Sequence, residues 1–277
     1  MDKAVPARLH VLIARESRTA VVLRRGPSNL VCTMGWNLND DSFRLGQWLK
    51  GRIYERRSDL SPDGRHMIYF AKRRSGPTNA WTAISRAPYL KAEALWFKSD
   101  SWDGGGLFTS NSSYWFNENP NNGLHRFEFD NSHLQMDPYF PGSKRLDPYI
   151  ARIQRDGWKL KNVEKAEGLH VILAFDKPID ERWTLRKLLH GKVTGRPRNK
   201  DHRNRGTSFD EHLLLDGHDK APLDLPEWEW ADVDGQRLLW AEAGKLFSAQ
   251  ISDKGLTSVR ELHDFNPMSF EPIEAPY

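Results

Sequence analysis

Short segments of alternating apolar and polar residues run along almost the whole chain of 277 residues. Most are about 5–8 residues long and rich in β-branched and aromatic side chains, which is typical of β-strands. Turn-forming pairs such as Asp63-Gly64, Asp156-Gly157 and Asp234-Gly235 separate many of them. These pairs favour tight turns, because glycine adopts the positive φ angles that hairpins need. The pattern therefore predicts an all-β protein.

Helical periodicity is scarce by comparison. No segment clearly sustains apolar residues at the i, i+3, i+4, i+7 spacing over about 11 residues. Residues 183–189 are compatible with two helical turns, although a strand is the competing prediction. Residues 149–154 are predicted as a strand.

A repeated unit stands out at residues 58–71, which read SDLSPDGRHMIYFA. Pro62 presets the first turn φ, Gly64 accepts a positive φ, and the Asp63 carboxylate can accept backbone amides. A weaker copy at 230–241, WADVDGQRLLWA, keeps the Asp-Gly turn and the apolar strand after it. The first unit resembles the TolB-type, WD-like β-propeller repeat, whose hallmark is Ser-Pro-Asp-Gly before an apolar strand. The resemblance implies a propeller blade in which this turn joins two adjacent strands.

Chain length sets the expected number of blades. About 240 residues remain once the insertion and linker around 190–224 are set aside, which makes five blades of about 40–50 residues. We therefore predict a five-bladed β-propeller that forms a single domain over residues 1–277, with an exposed basic insertion at 190–206. Two β-sandwich-like domains are the structural alternative, because residues 120–145 and 190–225 are both rich in turn formers.

The formal net charge of +4 is concentrated in one segment. Residues 186–205 hold eight basic side chains and one acidic side chain, so they contribute +7 and leave −3 on the remaining chain. The basic residues assigned to the predicted loop are Lys192, Arg196, Arg198, Lys200, Arg203 and Arg205. Such a loop can simply stay solvated, dock on an acidic protein, or contact nucleic-acid phosphates.

Aromatic and arginine side chains near loops and strand ends are candidates for partner binding, because interfaces are enriched in both. The candidates are Trp102, Tyr139, Phe140, Trp228, Trp230, Arg56, Arg57 and Arg86. Core packing is the alternative for the aromatic rings. Ordinary ion pairing on an exposed face is the alternative for the arginines.

No complete catalytic set can be read from the sequence. Residues 101–108, SWDGGGLF, resemble the Asp-box hairpin of sialidase-like propellers, which in that family lies away from the active site. A glycosidase needs two carboxylates about 5–9 Å apart. Carboxylates near predicted strand ends include Glu55, Asp59 and Glu93, but the sequence does not give the distances between them. Residues 211–220, EHLLLDGHDK, fit no common metal-binding spacing. We predict no catalytic residue, no metal and no cofactor.

The leading functional prediction is a non-catalytic protein-interaction platform whose partner is another protein with an acidic surface. A propeller hydrolase acting on a glycan-like ligand is the alternative, and a nucleic-acid-associated module using the basic loop is the second alternative. The single cysteine, Cys32, fits a reducing compartment. No run reaches the roughly 18 apolar residues of a membrane span, and residues 1–18 lack a signal-peptide core. We therefore predict a cytoplasmic protein with no membrane partner.

Overall fold

The computed structural model describes most of the chain. The described residues are 5–26, 29–74, 79–98, 103–117, 125–128, 133–138, 147–166, 170–192, 209–218, 223–225, 227–253 and 255–277. Two compact units are distinguished: Met1–Asp156 together with Pro267–Tyr277, and Gly157–Asn266. The single domain over residues 1–277 stays a prediction. No helix in the described ranges is long and apolar enough to cross a membrane.

Five small β-sheets make up the fold, and their arrangement is that of a five-bladed β-propeller. Most strands pair antiparallel with their neighbours in sequence, as short turns between alternating segments require. The all-β, five-bladed prediction is therefore confirmed. The alternative of two β-sandwich-like domains is not observed.

The first unit contains three of the sheets. The first sheet is the meander β1 (Arg8–Ile13), β2 (Thr19–Arg25), β3 (Leu30–Asn37) and β4 (Ser42–Lys50). The second contains β5 (Arg52–Ile53), β6 (Asp59–Leu60), β7 (His66–Lys72), β8 (Ala80–Arg86), β9 (Ala92–Lys98) and β12 (His125–Glu128). The third contains β10 (Gly106–Phe108), β11 (Ser113–Phe116) and β13 (Gln135–Asp137), the last parallel to β11. A buried cluster that includes Leu12 and Leu23 of the first sheet and Met67 and Tyr69 of the second forms a core of this unit.

The second unit contains two sheets. One is β14 (Lys159–Ala166), β15 (His170–Pro178), β16 (Trp183–Lys192), β17 (Phe209–Asp216) and β18 (Leu223–Leu225). The other is β19 (Trp228–Asp234), β20 (Arg237–Glu242), β21 (Lys245–Ser252) and β22 (Gly255–Asp264). Residues 183–189, for which helix and strand competed, lie in β16, whose side chains alternate between buried and half-buried from Trp183 to Leu189.

The turn of the first repeat has the predicted chemistry. The Asp63 carboxylate accepts hydrogen bonds from the Ser61 hydroxyl at 2.6 Å and the Arg65 amide at 3.0 Å. The Ser61 hydroxyl in turn accepts the His66 amide at 2.9 Å. Gly64 has φ +75°, as expected of glycine in such a turn. The side chains of Ser61 and Asp63 thus hold the start of β7 in place.

Replacement of Gly64 by alanine is expected to lower the free energy of unfolding by about 2 kcal/mol. A Cβ atom there would overlap the Thr19 hydroxyl and lie 2.9 Å from Ser17 Oγ, in addition to the strain of a positive φ. Gly235, in the weaker copy, has φ +61° and no atom within 4 Å of the added carbon. Gly235→Ala is therefore the matched control, with an expected loss of only about 1 kcal/mol. Equal losses in urea denaturation would contradict the steric argument.

The strand predicted over residues 149–154 is wrong, because Pro148–Arg155 form the helix α1. Asp147 caps the helix by accepting the Tyr149 amide at 2.8 Å, and Pro148 occupies its first turn. Both are helix-start signals. Tyr149, Arg152 and Ile153 are buried, so the segment places its buried side chains at helical spacing.

Candidate functional site

Two of the tryptophans predicted to bind a partner lie in the core of the second unit. Trp228 and Trp230 of β19 are 5% and 2% exposed. The Trp228 ring stacks on Trp240, with ring centroids 4.5 Å apart. Their burial assigns them to packing, which was the alternative interpretation of their pattern.

Several other predicted partner-binding residues lie outside the described residues. These are Trp102, Tyr139, Phe140, Arg196, Arg198, Lys200, Arg203 and Arg205. Lys192 is the last residue of β16, so the first three residues of the insertion predicted at 190–206 belong to a strand. The partner-binding roles of all these residues, Lys192 included, remain predictions.

Two cations of residues 186–205, which we call the basic segment, pack within the second unit. The Arg186 guanidinium pairs with the Asp176 carboxylate at 2.7 Å. Lys187 is 2% exposed, and its ammonium lies 4.3 Å from the centroid of the Trp158 ring. The charge of +7 computed for residues 186–205 is therefore not that of an exposed loop alone, because these two side chains take part in the unit's own packing.

Arg56 and Arg57 follow β5 in a short 3-10 helix, Glu55–Arg57, and both contact aromatic rings. The Arg56 guanidinium lies 4.9 Å from the Tyr149 centroid. Arg57 lies 5.3 Å from the Phe70 centroid and donates to the Asp103 carbonyl at 2.8 Å. These contacts pack both arginines against the protein. Arg56 and Arg57 therefore stabilise the fold, whether or not they also bind a partner.

Arg86 leads to a site that the sequence pattern did not reveal. Its side chain is 48% exposed at the end of β8, and its Nε donates to Oε1 of Glu93 at 2.6 Å. Glu93 lies at a β-bulge, because Ile84 pairs with Ala94 and Ser85 with Ala92, which leaves Glu93 as the extra residue. Bulges turn a side chain away from the regular alternation of a strand. The Glu93 side chain is only 4% exposed.

Two histidines lie beside this carboxylate. His66, the first residue of β7, places Nε2 3.4 Å from Oε2 of Glu93. His133, which precedes β13, places Nε2 3.3 Å from the same His66 nitrogen. One ligand atom from each of the three residues lies within 4.8 Å of the others, and within the described ranges this is the group that could hold a metal ion.

The environment favours the neutral imidazole of His66. Burial lowers the pKa of His66, and the nearby Glu93 carboxylate opposes that shift only in part. Metal coordination requires neutral imidazole. The three side chains therefore have the donor chemistry of a metal site.

A cationic surface with two tyrosine rings adjoins this cluster, and we call it the tyrosine–cation surface. It consists of Arg44, Arg86, Tyr89, Lys91 and Tyr277. The three cations are exposed and the two tyrosines are half-buried. The Tyr277 ring lies 4.7 Å from the Arg86 guanidinium and 5.2 Å from the Lys91 ammonium, while Arg44 lies 5.5 Å from the Tyr89 ring. Burial raises the pKa of Tyr277 to about 12, so its hydroxyl stays protonated at neutral pH.

Two clefts share residues with this surface. One has a volume of about 290 Å³ and is lined by Arg44 together with Trp36, Phe43 and Pro88. The other has a volume of about 340 Å³ and is lined by Lys91 together with Trp48, Tyr69, Trp81, Leu90 and Phe97. Both therefore combine apolar walls with a cation.

Among the predicted binding residues, the sequence singled out Arg86 but not its surroundings. Glu93 appeared only as a carboxylate near a strand end, and no spacing linked it to His66 and His133. These three residues are 27 and 40 positions apart in the sequence, so neither helical nor strand periodicity could bring them together. The sequence predicted no metal site, and that prediction remains untested beside this group, which could hold an ion.

Comparisons with known proteins leave the family open. No family model matches the chain, and no curated protein matches it significantly. An uncharacterized protein, lmo1340 from Listeria monocytogenes EGD-e, is 12% identical with a TM-score of 0.33, over 94% of this chain and 67% of that one. Kuenenia stuttgartiensis hydrazine synthase is 7% identical with a TM-score of 0.30, over 90% of this chain and 78% of that one. At such TM-scores neither similarity carries an argument about function.

Proposed function

We propose that the protein is a non-catalytic interaction platform that docks an acidic protein partner on its tyrosine–cation surface. The observation that carries the proposal is the convergence of three exposed cations on two tyrosine rings in the first unit. Arginine and tyrosine are among the side chains that are most enriched at interfaces. The Glu93 carboxylate that pairs with Arg86 is buried, whereas the side-chain charges of Arg44, Arg86 and Lys91 are exposed and positive.

The surface is held in place before any partner arrives. The Gln47 side chain accepts the Leu90 and Lys91 amides at 2.7 and 3.0 Å and donates to the Ile273 carbonyl at 2.8 Å. The Tyr277 hydroxyl accepts the Arg86 amide at 3.0 Å and donates to the Lys91 carbonyl at 2.6 Å. A rigid binding surface loses less conformational entropy on association, which favours affinity.

The two clefts supply the apolar part of an interface. Binding energy at interfaces is concentrated where a ring or aliphatic side chain fills a desolvated pocket. The 340 Å³ cleft, with Trp48, Tyr69 and Trp81 in its wall, suits such an anchor. The partner expected here therefore presents carboxylates beside an exposed aromatic or aliphatic side chain.

Charge reversal tests this docking surface. The double variant Arg44→Glu, Lys91→Glu is expected to weaken partner binding by roughly 30-fold or more, because both residues lie at the edges of the clefts. Cross-linking in source cells with mass spectrometry would identify the partner, with Lys91 as an expected cross-linked residue. The affinity of the purified pair would then be measured at two salt concentrations, because the positive surface should bind more weakly in high salt.

The control variant is Lys159→Glu, Lys161→Glu, which makes the same change in formal charge on exposed residues of β14. It is expected to leave the affinity unchanged. Equal weakening by both double variants would mean that net charge matters and the tyrosine–cation surface does not. Recovery of nucleic acid instead of a protein would contradict the proposed partner class.

Three further predictions also stay proposals: the role of the basic segment, the repeat family and the location of the protein. The basic segment is a second docking element, and deletion of residues 193–206 in the same assay separates its contribution from that of the tyrosine–cation surface. The side-chain hydrogen bonds of Ser61 and Asp63 support the assignment of residues 58–71 to the TolB-type, WD-like repeat. We place the protein in the cytoplasm, where the buried thiol of Cys32 would stay reduced.

A further inference from the structure

We infer that His66, Glu93 and His133 bind one divalent cation of the zinc type. The atoms that face one another are His66 Nε2, Glu93 Oε2 and His133 Nε2. Two come from neighbouring parts of one sheet, on β7 and β9, and the third precedes β13 of the next sheet. The inference does not depend on the proposed partner, because none of the three ligands belongs to the tyrosine–cation surface.

Two of the three distances between these atoms match the edges of a tetrahedral site, and the third is within 4.8 Å. Zinc binds imidazole nitrogen and carboxylate oxygen at about 2.0–2.2 Å, which places neighbouring ligand atoms about 3.3–3.5 Å apart. The observed separations are 3.3 Å between the two imidazole nitrogens and 3.4 Å between His66 and Glu93. The atoms on either side of His66 Nε2 therefore already have the spacing of ligands on one tetrahedral ion.

A buried carboxylate oxygen supplies the second, independent observation. Glu93 is 4% exposed, and within the described residues its Oε2 atom accepts no hydrogen bond, with His66 Nε2 3.4 Å away. A charged oxygen withdrawn from water without a partner is costly, so such atoms are usually paired or bound to a metal. A cation would satisfy Oε2, whereas Oε1 already accepts the Arg86 guanidinium.

Arg86 acts as a positioning residue in this arrangement. Its hydrogen bond to Oε1 fixes the carboxylate and leaves Oε2 directed at the histidines, as outer-shell partners of metal ligands commonly do. Arg86 also repels a cation, but its side chain is 48% exposed, so water screens the repulsion. The Asp63 carboxylate, whose charge also acts on His66, adds a compensating negative charge.

The donor set selects the class of ion. Two imidazole nitrogens and one carboxylate oxygen suit zinc and neighbouring transition metals, whereas calcium and magnesium prefer oxygen ligands alone. His133 is exposed, which leaves the remaining tetrahedral position open to water or a small anion.

Titration of the tag-free protein with Zn²⁺ tests the inference. Isothermal calorimetry is expected to give one ion per chain, and the Zn²⁺ form should melt at a higher temperature than the metal-free form. Co²⁺ in the same site should show the visible absorption of a tetrahedral complex. His133→Ala is expected to weaken Zn²⁺ binding by on the order of 100-fold and to abolish the Co²⁺ spectrum.

His133 is the most suitable position for the test, because it is exposed and its removal leaves the strands intact. The metal-free melting temperature of His133→Ala should equal that of the parent protein. His218→Ala, at an exposed histidine of the second unit, is the matched control and should bind Zn²⁺ normally. Unsaturable binding, or equal affinity in His133→Ala and the parent, would overturn the inference. Neither outcome would affect the partner assay, which uses Arg44 and Lys91.

Discussion

Replacement of Asp59 by alanine is expected to lower the free energy of unfolding by about 3–5 kcal/mol, the largest effect of any single change considered. Asp59 lies in β6, 2% exposed, and accepts both Nη atoms of Arg155 at 2.6 and 2.9 Å. It also accepts the Phe108 amide at 2.8 Å. Loss of the carboxylate would leave the mostly buried guanidinium with Asp156 as its remaining carboxylate partner, and it would leave the buried Phe108 amide without its acceptor. Urea denaturation of the purified variant measures the effect.

Two further variants separate the ion pair from its surroundings. Asp253→Ala removes a carboxylate that is 97% exposed and 3.5 Å from Arg182, so it should cost less than 1 kcal/mol. The triple variant Asp59→Leu, Arg155→Met, Asp156→Asn also removes the second carboxylate that pairs with Arg155, so it leaves no charge of this group unpaired and should recover much of the lost stability. A loss below 1 kcal/mol in Asp59→Ala would contradict the role assigned to the pair.

Acidification from pH 7 to pH 4 is expected to remove about 3 kcal/mol of unfolding free energy through His212 alone. Burial is the main reason that the pKa of His212 falls from 6.5 to about 4, with the Lys187 charge as the next cause. In the folded protein the ring therefore stays neutral, whereas in the unfolded chain it takes up a proton below pH 6.5. The stabilisation is complete above pH 6.5 and is lost as the pH falls toward 4.

The contacts of His212 explain why its neutral form is favoured. The ring is completely buried in β17, and Nδ1 lies 2.9 Å from the Trp228 carbonyl, so this nitrogen carries the hydrogen. The other nitrogen, Nε2, has no hydrogen-bond partner among the described residues. A proton added there would place a charge in the core with nothing to solvate it.

Unfolding free energies measured at several pH values would check this prediction. In His212→Gln the contribution between pH 6.5 and 4 should disappear, which flattens the slope by up to about 1.4 kcal/mol per pH unit. The exposed His218→Gln variant serves as the control and should keep the slope of the parent protein. Identical slopes in all three proteins would show that His212 is not the group that titrates.

Local patterns predicted the strands well, but they missed the helix α1. Its residues 149–154 alternate like a strand, and the decisive signals are the Asp147 cap and Pro148 in the first turn. The cap operates only when the preceding backbone places the Asp147 carboxylate over the Tyr149 amide. For so short a segment, burial against neighbouring elements decides between two periodicities that the sequence leaves nearly equal.

The basic segment, residues 186–205, shows that the sequence alone also does not decide which charges are exposed. Arg186 and Lys187 contribute to the charge counted for residues 186–205, and they lie within β16. Asp176 and Trp158, which contact them, lie 10 and 29 residues earlier in the chain. Charge counted along the sequence does not distinguish a solvated cation from one that is paired inside a sheet.

By itself, the sequence determined the all-β class, the five blades and the chemistry of the Ser61–Gly64 turn. All three depend on contacts between residues close in the chain or on the length of the repeat, and both can be read directly from the sequence. Only the tertiary structure decided the candidate sites. The bulge at Glu93 and the pairing of β7, β8 and β9 bring Glu93 to His66, and the position of β13 adds His133. Side chains separated by dozens of residues meet only after the strands have paired, because strand register, not sequence spacing, sets their distances.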